Sequence, residues 1–168
     1  MIQNEHPGLQ RWTDVLAGRA EPQDLAAVEC ILQESPMFQA LGLLLQLGCG
    51  DCDARIEIKE LQEYHRGGTT GDSVNGAIQA LLFDAAIGCA AIARFPVLGL
   101  GSGVGRLDIR MKRPPRGPRV VVSGQVTKTR RNLVYARAEL YAGEELCGHA
   151  TGVVFIRLAN GAKAQLPL

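Results

Sequence analysis

Residues 73–93 carry one charged side chain, Asp84, in a run dominated by alanine, isoleucine and leucine. Ile78, Leu81, Leu82, Ala85, Cys89 and Ile92 recur at helical spacing, and the opposite side of the same helix is also largely apolar. A helix that is hydrophobic nearly all round has to be buried, in protein or in lipid. Lipid is the poorer host, because the run is alanine-rich and interrupted by Gln79. An aspartate at mid-helix also costs about 2.5–3.5 kcal/mol on insertion scales. No membrane span is expected, and the rest of the chain must supply a wrapping for this helix.

The flanks supply strands. Leu41 to Leu47 is an apolar run, and Ala54, Ile56 and Ile58 then alternate with Arg55, Glu57 and Lys59, the period of a half-buried strand. After the helix, Leu107, Ile109 and Met111 alternate with Arg106, Asp108, Arg110 and Lys112. Val120 to Lys128, Leu133 to Tyr141 and Leu146 to Arg157 read as three more strands, with turns around Arg130-Arg131-Asn132 and Ala142-Gly143-Glu144. His65 to Asp72, with three glycines, is a long loop, and Arg113-Pro114-Pro115-Arg116-Gly117-Pro118 is a rigid connection. Upstream, Leu9, Trp12 and Leu16 mark one helix, ended by Gly18. Pro22 opens a second through Leu25, Val28, Ile31 and Leu32, closed by Ser35-Pro36. The reading is therefore a helical extension over residues 1–40 and one α+β domain over 41–168, a size that buries about 70% of its unfolded surface without staples.

The whole chain has 18 basic and 17 acidic side chains, but they are unevenly spread. Residues 1–93 hold 5 basic against 13 acidic, a balance of −8, and residues 94–137 hold 11 against 1, a balance of +10. A near-neutral total argues against a histone-like coat for nucleic acid, and the basic block fits an anionic partner of limited size or a solvated sheet face. A single-strand nucleic-acid surface would want aromatics for stacking, and the block offers only Phe95 and Tyr135. The 20 glycines and 8 prolines follow no period, which excludes collagenous chains.

Five cysteines, Cys30, Cys49, Cys52, Cys89 and Cys147, are scattered behind a polar start, so reduced thiols and a cytoplasmic setting are the economical expectation. Cys49-Gly50-Asp51-Cys52 has redox or zinc-like spacing. One such pair supplies only two ligands, with no second pair or histidine cluster, so no metal site is expected. Lying between two strand-like runs rather than opening a helix, it reads as a turn.

A mostly antiparallel sheet of five or six strands curled around one long apolar helix is the hot-dog arrangement. Residues 41–157 resemble the PaaI-like (phenylacetate-pathway) branch of hot-dog acyl-CoA thioesterases. The carrying residues are Asn75-Gly76-Ala77, then Leu82-Phe83-Asp84-Ala85-Ala86, then Lys112-Arg113-Pro114, and the closing His149-Ala150-Thr151-Gly152-Val153-Val154-Phe155. The family's His-Gly-Gly stands here as Asn75-Gly76-Ala77, an earlier loop asparagine falls on Thr69, and the loop is about two residues longer.

The resemblance implies hydrolysis of an acyl-CoA thioester by a homodimer or homotetramer, without a bound cofactor. Asp84 would be nucleophile or general base, facing Gly76 across a subunit boundary. Along one helix eight residues span roughly 12 Å, so a single carbonyl cannot touch both. Independently of the family, a carboxylate flanked by Ala80, Gly88 and Ala91 lacks charge partners, and desolvation should raise its pKa. Its other reading is a structural acid. Gly76 is either a helix-start glycine or, having no side chain, an approachable N–H donor for a developing oxyanion. Asn75 is either an N-cap or an amide that orients the thioester; it cannot be a general base. Ser102 is a candidate polar helper, while His65 and His149 read as loop and strand residues. Arg113, Arg116, Lys128, Arg130 and Arg131, at strand ends and turns, are candidates for the phosphates of coenzyme A. A non-catalytic acyl-CoA-binding domain is the alternative, with a hydratase of the same fold third.

Overall fold

In the computed structural model, which describes residues 25–67, 71–95 and 101–157, the chain opens with α1 (Leu25–Gln33), α2 (Pro36–Ala40), β1 (Leu43–Leu47) and β2 (Ala54–Ile58). A 3-10 turn (Glu63–His65) leads to α3 (Gly76–Arg94), followed by β3 (Gly101–Met111), β4 (Val120–Arg130), β5 (Leu133–Ala142) and β6 (Glu145–Arg157). The expected helix around Leu9, Trp12 and Leu16 lies outside the described residues, as does Pro22. The six strands form one sheet in the order β1-β2-β4-β5-β6-β3, with every neighbouring pair antiparallel. The expected hot-dog architecture is thus present.

Strand alternation aims one face of the sheet at α3. Ala54, Ile56 and Ile58 of β2 point inward, as do Val122 and Gly124 of β4 and Val134, Ala136, Ala138 and Leu140 of β5. Although α3 is long and apolar enough to cross a bilayer, Leu82, Phe83, Ala86, Ile87, Ala90 and Ala91 are at most 1% exposed, sealed in by this chain's own strands. The apolar run is a core helix. Its alanines let it lie close on the sheet, and Gly124 completes the fit, since a Cβ there would stand 2.3 Å from the Ala86 carbonyl oxygen.

The two edges of the sheet are treated differently. On β1, the Gln33 amide donates to the Leu43 carbonyl at 2.7 Å and accepts the Leu45 N–H at 2.7 Å, while the Glu29 carboxylate accepts the Leu47 N–H at 2.6 Å. Helix α1 therefore covers that edge with side-chain partners, one of the ways proteins blunt an exposed strand. At the other edge, β3 pairs with β6 on one side, and among the described residues nothing pairs with its outer side.

One local expectation is corrected. Ser35-Pro36 ends α1 as expected, but Pro36 also opens α2, because proline's missing N–H and fixed φ suit a first helical position. The remaining strands keep their expected order, with β3 starting six residues before Leu107.

Candidate active site

Helix α3 begins on a fixed platform. His65 is fully buried: its Nδ1 accepts the Gln62 N–H at 2.9 Å, and its Nε2 lies 2.9 Å from the Leu41 carbonyl oxygen. Both ring nitrogens are tied to backbone groups, so this histidine is a structural residue rather than a catalyst. The Asn75 N–H donates to the His65 carbonyl at 2.8 Å, and the Val74 N–H to the Pro115 carbonyl at 3.0 Å. The proline-rich connection after β3 thus packs beside the start of α3.

Asn75 caps the helix, its Oδ1 accepting the Ala77 N–H at 2.8 Å. The N-cap reading of this residue is realised. Gly76 follows as the first helical residue, exposed, with no heavy atom within 4 Å of where a Cβ would stand. Its N–H has no acceptor among the described residues, and it carries the positive end of the helix dipole. Thr69 lies outside the described residues.

Asp84 sits two turns further along, beside a recess of about 610 Å³. The recess is walled by Met37 and Phe38 of α2, Gly88, Cys89 and Ile92 of α3, and Ser102 and Val104 of β3. Among the described residues, Asp84 is the one charged residue on that wall, and it has neither a hydrogen bond nor an ion pair. The expectation of an enclosed carboxylate is corrected: Asp84 is exposed in the single chain, where the half-buried Ala80 and Gly88 are too small to cover it. The apolar surroundings still push its carboxyl pKa upward through desolvation. Cys89 behind it is pushed up to about 12, by burial first and then by the Asp84 charge, so it is an inert wall residue.

The structure brings Asp84 and Ser102 together at one recess and leaves Gly76 and Asn75 at the far end of the helix. It also divides the basic residues. Arg113 and Arg116 stand near the start of α3, paired with Glu145 and, at 3.3 Å, with Asp72. Lys128, Arg130 and Arg131 occupy the far end of β4 and the turn after it, roughly 25–35 Å away at the usual rise per strand residue. One chain does not gather all five around one phosphate cluster. Met37 and Phe38 were missed as wall residues. Their apolar character is visible in the sequence, but a contact between α2 and β3 across α3 has no local signature.

A model of the Thioesterase superfamily matches residues 71–149, the span from the loop before α3 into β6. No curated protein matches the chain in sequence. Among solved structures, the chain is similar to a protein of Shewanella oneidensis related to the thioesterase superfamily, with TM-score 0.66 and 17% identity, over 79% of this chain and 94% of that one. It is similar to a mutant of the phenylacetic acid degradation protein PaaI from Thermus thermophilus, with TM-score 0.61 and 23% identity, over 73% of this chain and 99% of that one. PaaI of E. coli aligns with TM-score 0.64 and 14% identity, over 82% of this chain and 94% of that one. The resemblance read from the sequence is therefore borne out: the chain matches the Thioesterase superfamily over residues 71–149 and has the hot-dog fold of PaaI-like proteins.

Proposed function

We propose that this protein hydrolyses an acyl-CoA thioester, at a site completed by a second copy of the chain. The observation that carries the reading is Asp84: among the described residues, an unpaired carboxylate whose pKa desolvation raises, on the wall of an otherwise uncharged recess of about 610 Å³. A pocket lined mainly by apolar groups with a few convergent polar ones suits an acyl group. Ser102 supplies a second polar group on the same wall.

The chemistry divides between the start of α3, at Gly76, and its middle, at Asp84. Asp84 takes a proton from water, the hydroxide adds to the thioester carbonyl, and the oxyanion that forms is held by the Gly76 N–H of the neighbouring copy. Collapse expels the thiolate of coenzyme A, which receives the proton back from Asp84. Asn75 fixes the first turn so that the Gly76 N–H points outward. The outer edge of β3, unpaired among the described residues, supports the pairing of copies, since the other edge is capped by α1. Arg113 and Arg116, near Gly76, are the nearest candidates for the coenzyme phosphates.

The direct test measures release of free thiol over a panel of acyl-CoA esters for wild type and Asp84→Ala. Turnover that vanishes in the variant supports the assignment, and equal rates remove Asp84 from the mechanism. A non-catalytic acyl-CoA-binding domain is the second reading, favoured by Asn75 standing where the family has histidine. Tight binding of the esters by wild type without any thiol release would establish it.

A further inference from the structure

The β1–β2 turn holds Cys49 and Cys52 with their Sγ atoms 3.0 Å apart. Both residues are half-buried thiols rather than core cysteines. The turn is pinned at both ends. The Gly48 N–H donates to the Asp53 carbonyl at 2.8 Å and the Asp53 N–H to the Gly124 carbonyl at 3.0 Å, while the Asp53 carboxylate accepts the Val126 N–H at 2.7 Å. Gly48 and Gly50 take left-handed φ values of +65° and +66°, which fold the backbone so that positions 49 and 52 converge. Cys52 also lines a polar recess of about 510 Å³ on the outer face of the sheet, with Arg55, Ser123 and Gln125, opposite the face that carries α3 and the Asp84 recess. The two thiols are therefore held together by backbone geometry, at a place that a small solute reaches and the proposed hydrolysis does not use.

We propose that Cys49 and Cys52 are a reversible dithiol–disulfide site, oxidised by small disulfides of the glutathione type. The Cys49 thiolate attacks the small disulfide, forming a mixed disulfide and releasing one small thiol. The Cys52 sulfur then attacks Cys49, expelling the second small thiol and leaving an intramolecular bond. The protein gives up two protons and two electrons, and the small disulfide becomes two thiols. The direction of attack follows from the surroundings. The Cys52 thiol is pushed up to about 12, by burial first and then by its hydrogen bond to and charge repulsion from Cys49, so it stays protonated while Cys49 is free. Capping Cys49 as a mixed disulfide removes both of the Cys49 contributions and frees Cys52 for the second step.

The test uses a Cys30→Ser background, which removes the exposed thiol. The protein is equilibrated with oxidised glutathione, and its fragment spanning residues 49 and 52 is weighed. The expected result is a fragment lighter by two hydrogens, carrying no glutathione and restored by a dithiol reductant. Adding Cys52→Ser is expected to trap one glutathione on Cys49. Survival of both thiols in the background protein, or glutathione remaining on either of them, overturns the proposal. Thiol release from acyl-CoA bears on the Asp84 reading alone, so either result stands without the other.

Discussion

Asp84 and Gly76 lie on one helix eight residues apart, with roughly 12 Å of axial rise between them. Each is left open: the carboxylate without a counter-charge, the N–H without an acceptor, among the described residues. Two unsatisfied groups of complementary function, too distant to share one carbonyl within a chain, are what an antiparallel pairing of two such helices would bring together.

Replacing Asp84 separates chemistry from stability. Asp84→Asn is expected to lower kcat by about 10²–10⁴-fold, the usual contribution of a positioned base. The fold should be retained, because the side chain is exposed and unpaired. Thiol-release kinetics and a melting curve on the same samples check both parts. A loss of activity accompanied by unfolding would point to a structural acid.

The pH dependence carries two opposite signs. Desolvation raises the Asp84 carboxyl above its ordinary value, and the base must be ionised. The acid limb of kcat/KM should therefore lie above about 3.9, the reference for an unperturbed aspartate. Stability runs the other way. The folded chain holds this proton more tightly than the unfolded one, so the stabilising contribution is full below the unfolded pKa and is lost as pH rises through the folded one. Denaturation of wild type and Asp84→Asn across that window should show the difference moving in favour of the variant as pH increases. A difference that is flat with pH would contradict the raised pKa.

Gly124 tests the contact that seats the helix. Gly124→Ala places a Cβ against the Ala86 carbonyl, where neither backbone gives easily, and should destabilise by about 1–3 kcal/mol. Denaturant unfolding measures it. An unchanged midpoint would mean that α3 is not held as tightly to β4 as described.

The acyl pocket is tested at Met37, a wall residue 39% exposed. Met37→Ala lengthens the recess, so preference should move toward longer acyl chains, by about fourfold in kcat/KM for each extra methylene accommodated. A chain-length series of esters reads this out. A uniform change along the series would remove α2 from the pocket.

Much of this fold was legible because its two periods are undiluted. The alternation in β2 and the all-round apolar face of α3 leave one sensible arrangement, and Asn75 marks the helix start in an ordinary way. The site was only partly legible. Asp84 stands out by being alone, but its exposure depends on which flank of α3 the sheet covers, and small neighbours at Ala80 and Gly88 read equally as enclosure or as a gap. Arg113 and Lys128 fall in one basic block of sequence, yet β4 carries the chain the length of the sheet between them. The wall formed by Phe38 and Val104 joins residues more than sixty positions apart, and no local pattern encodes it.

The central claim is most directly tested by mixing two inactive proteins. Asp84→Ala removes the carboxylate. Gly76→Pro removes only the N–H, since proline is tolerated at the first helical position and Asn75 already has φ −56° and ψ 140°, as a residue before proline requires. Each variant alone should be inactive. Dissociated and reassembled together, they should recover about a quarter of wild-type thiol release, because half of the pairs are mixed and each mixed two-fold pair holds one intact site. If the variants fold and reassemble but the mixture stays as inactive as its components, Asp84 and Gly76 do not meet between copies and the account fails.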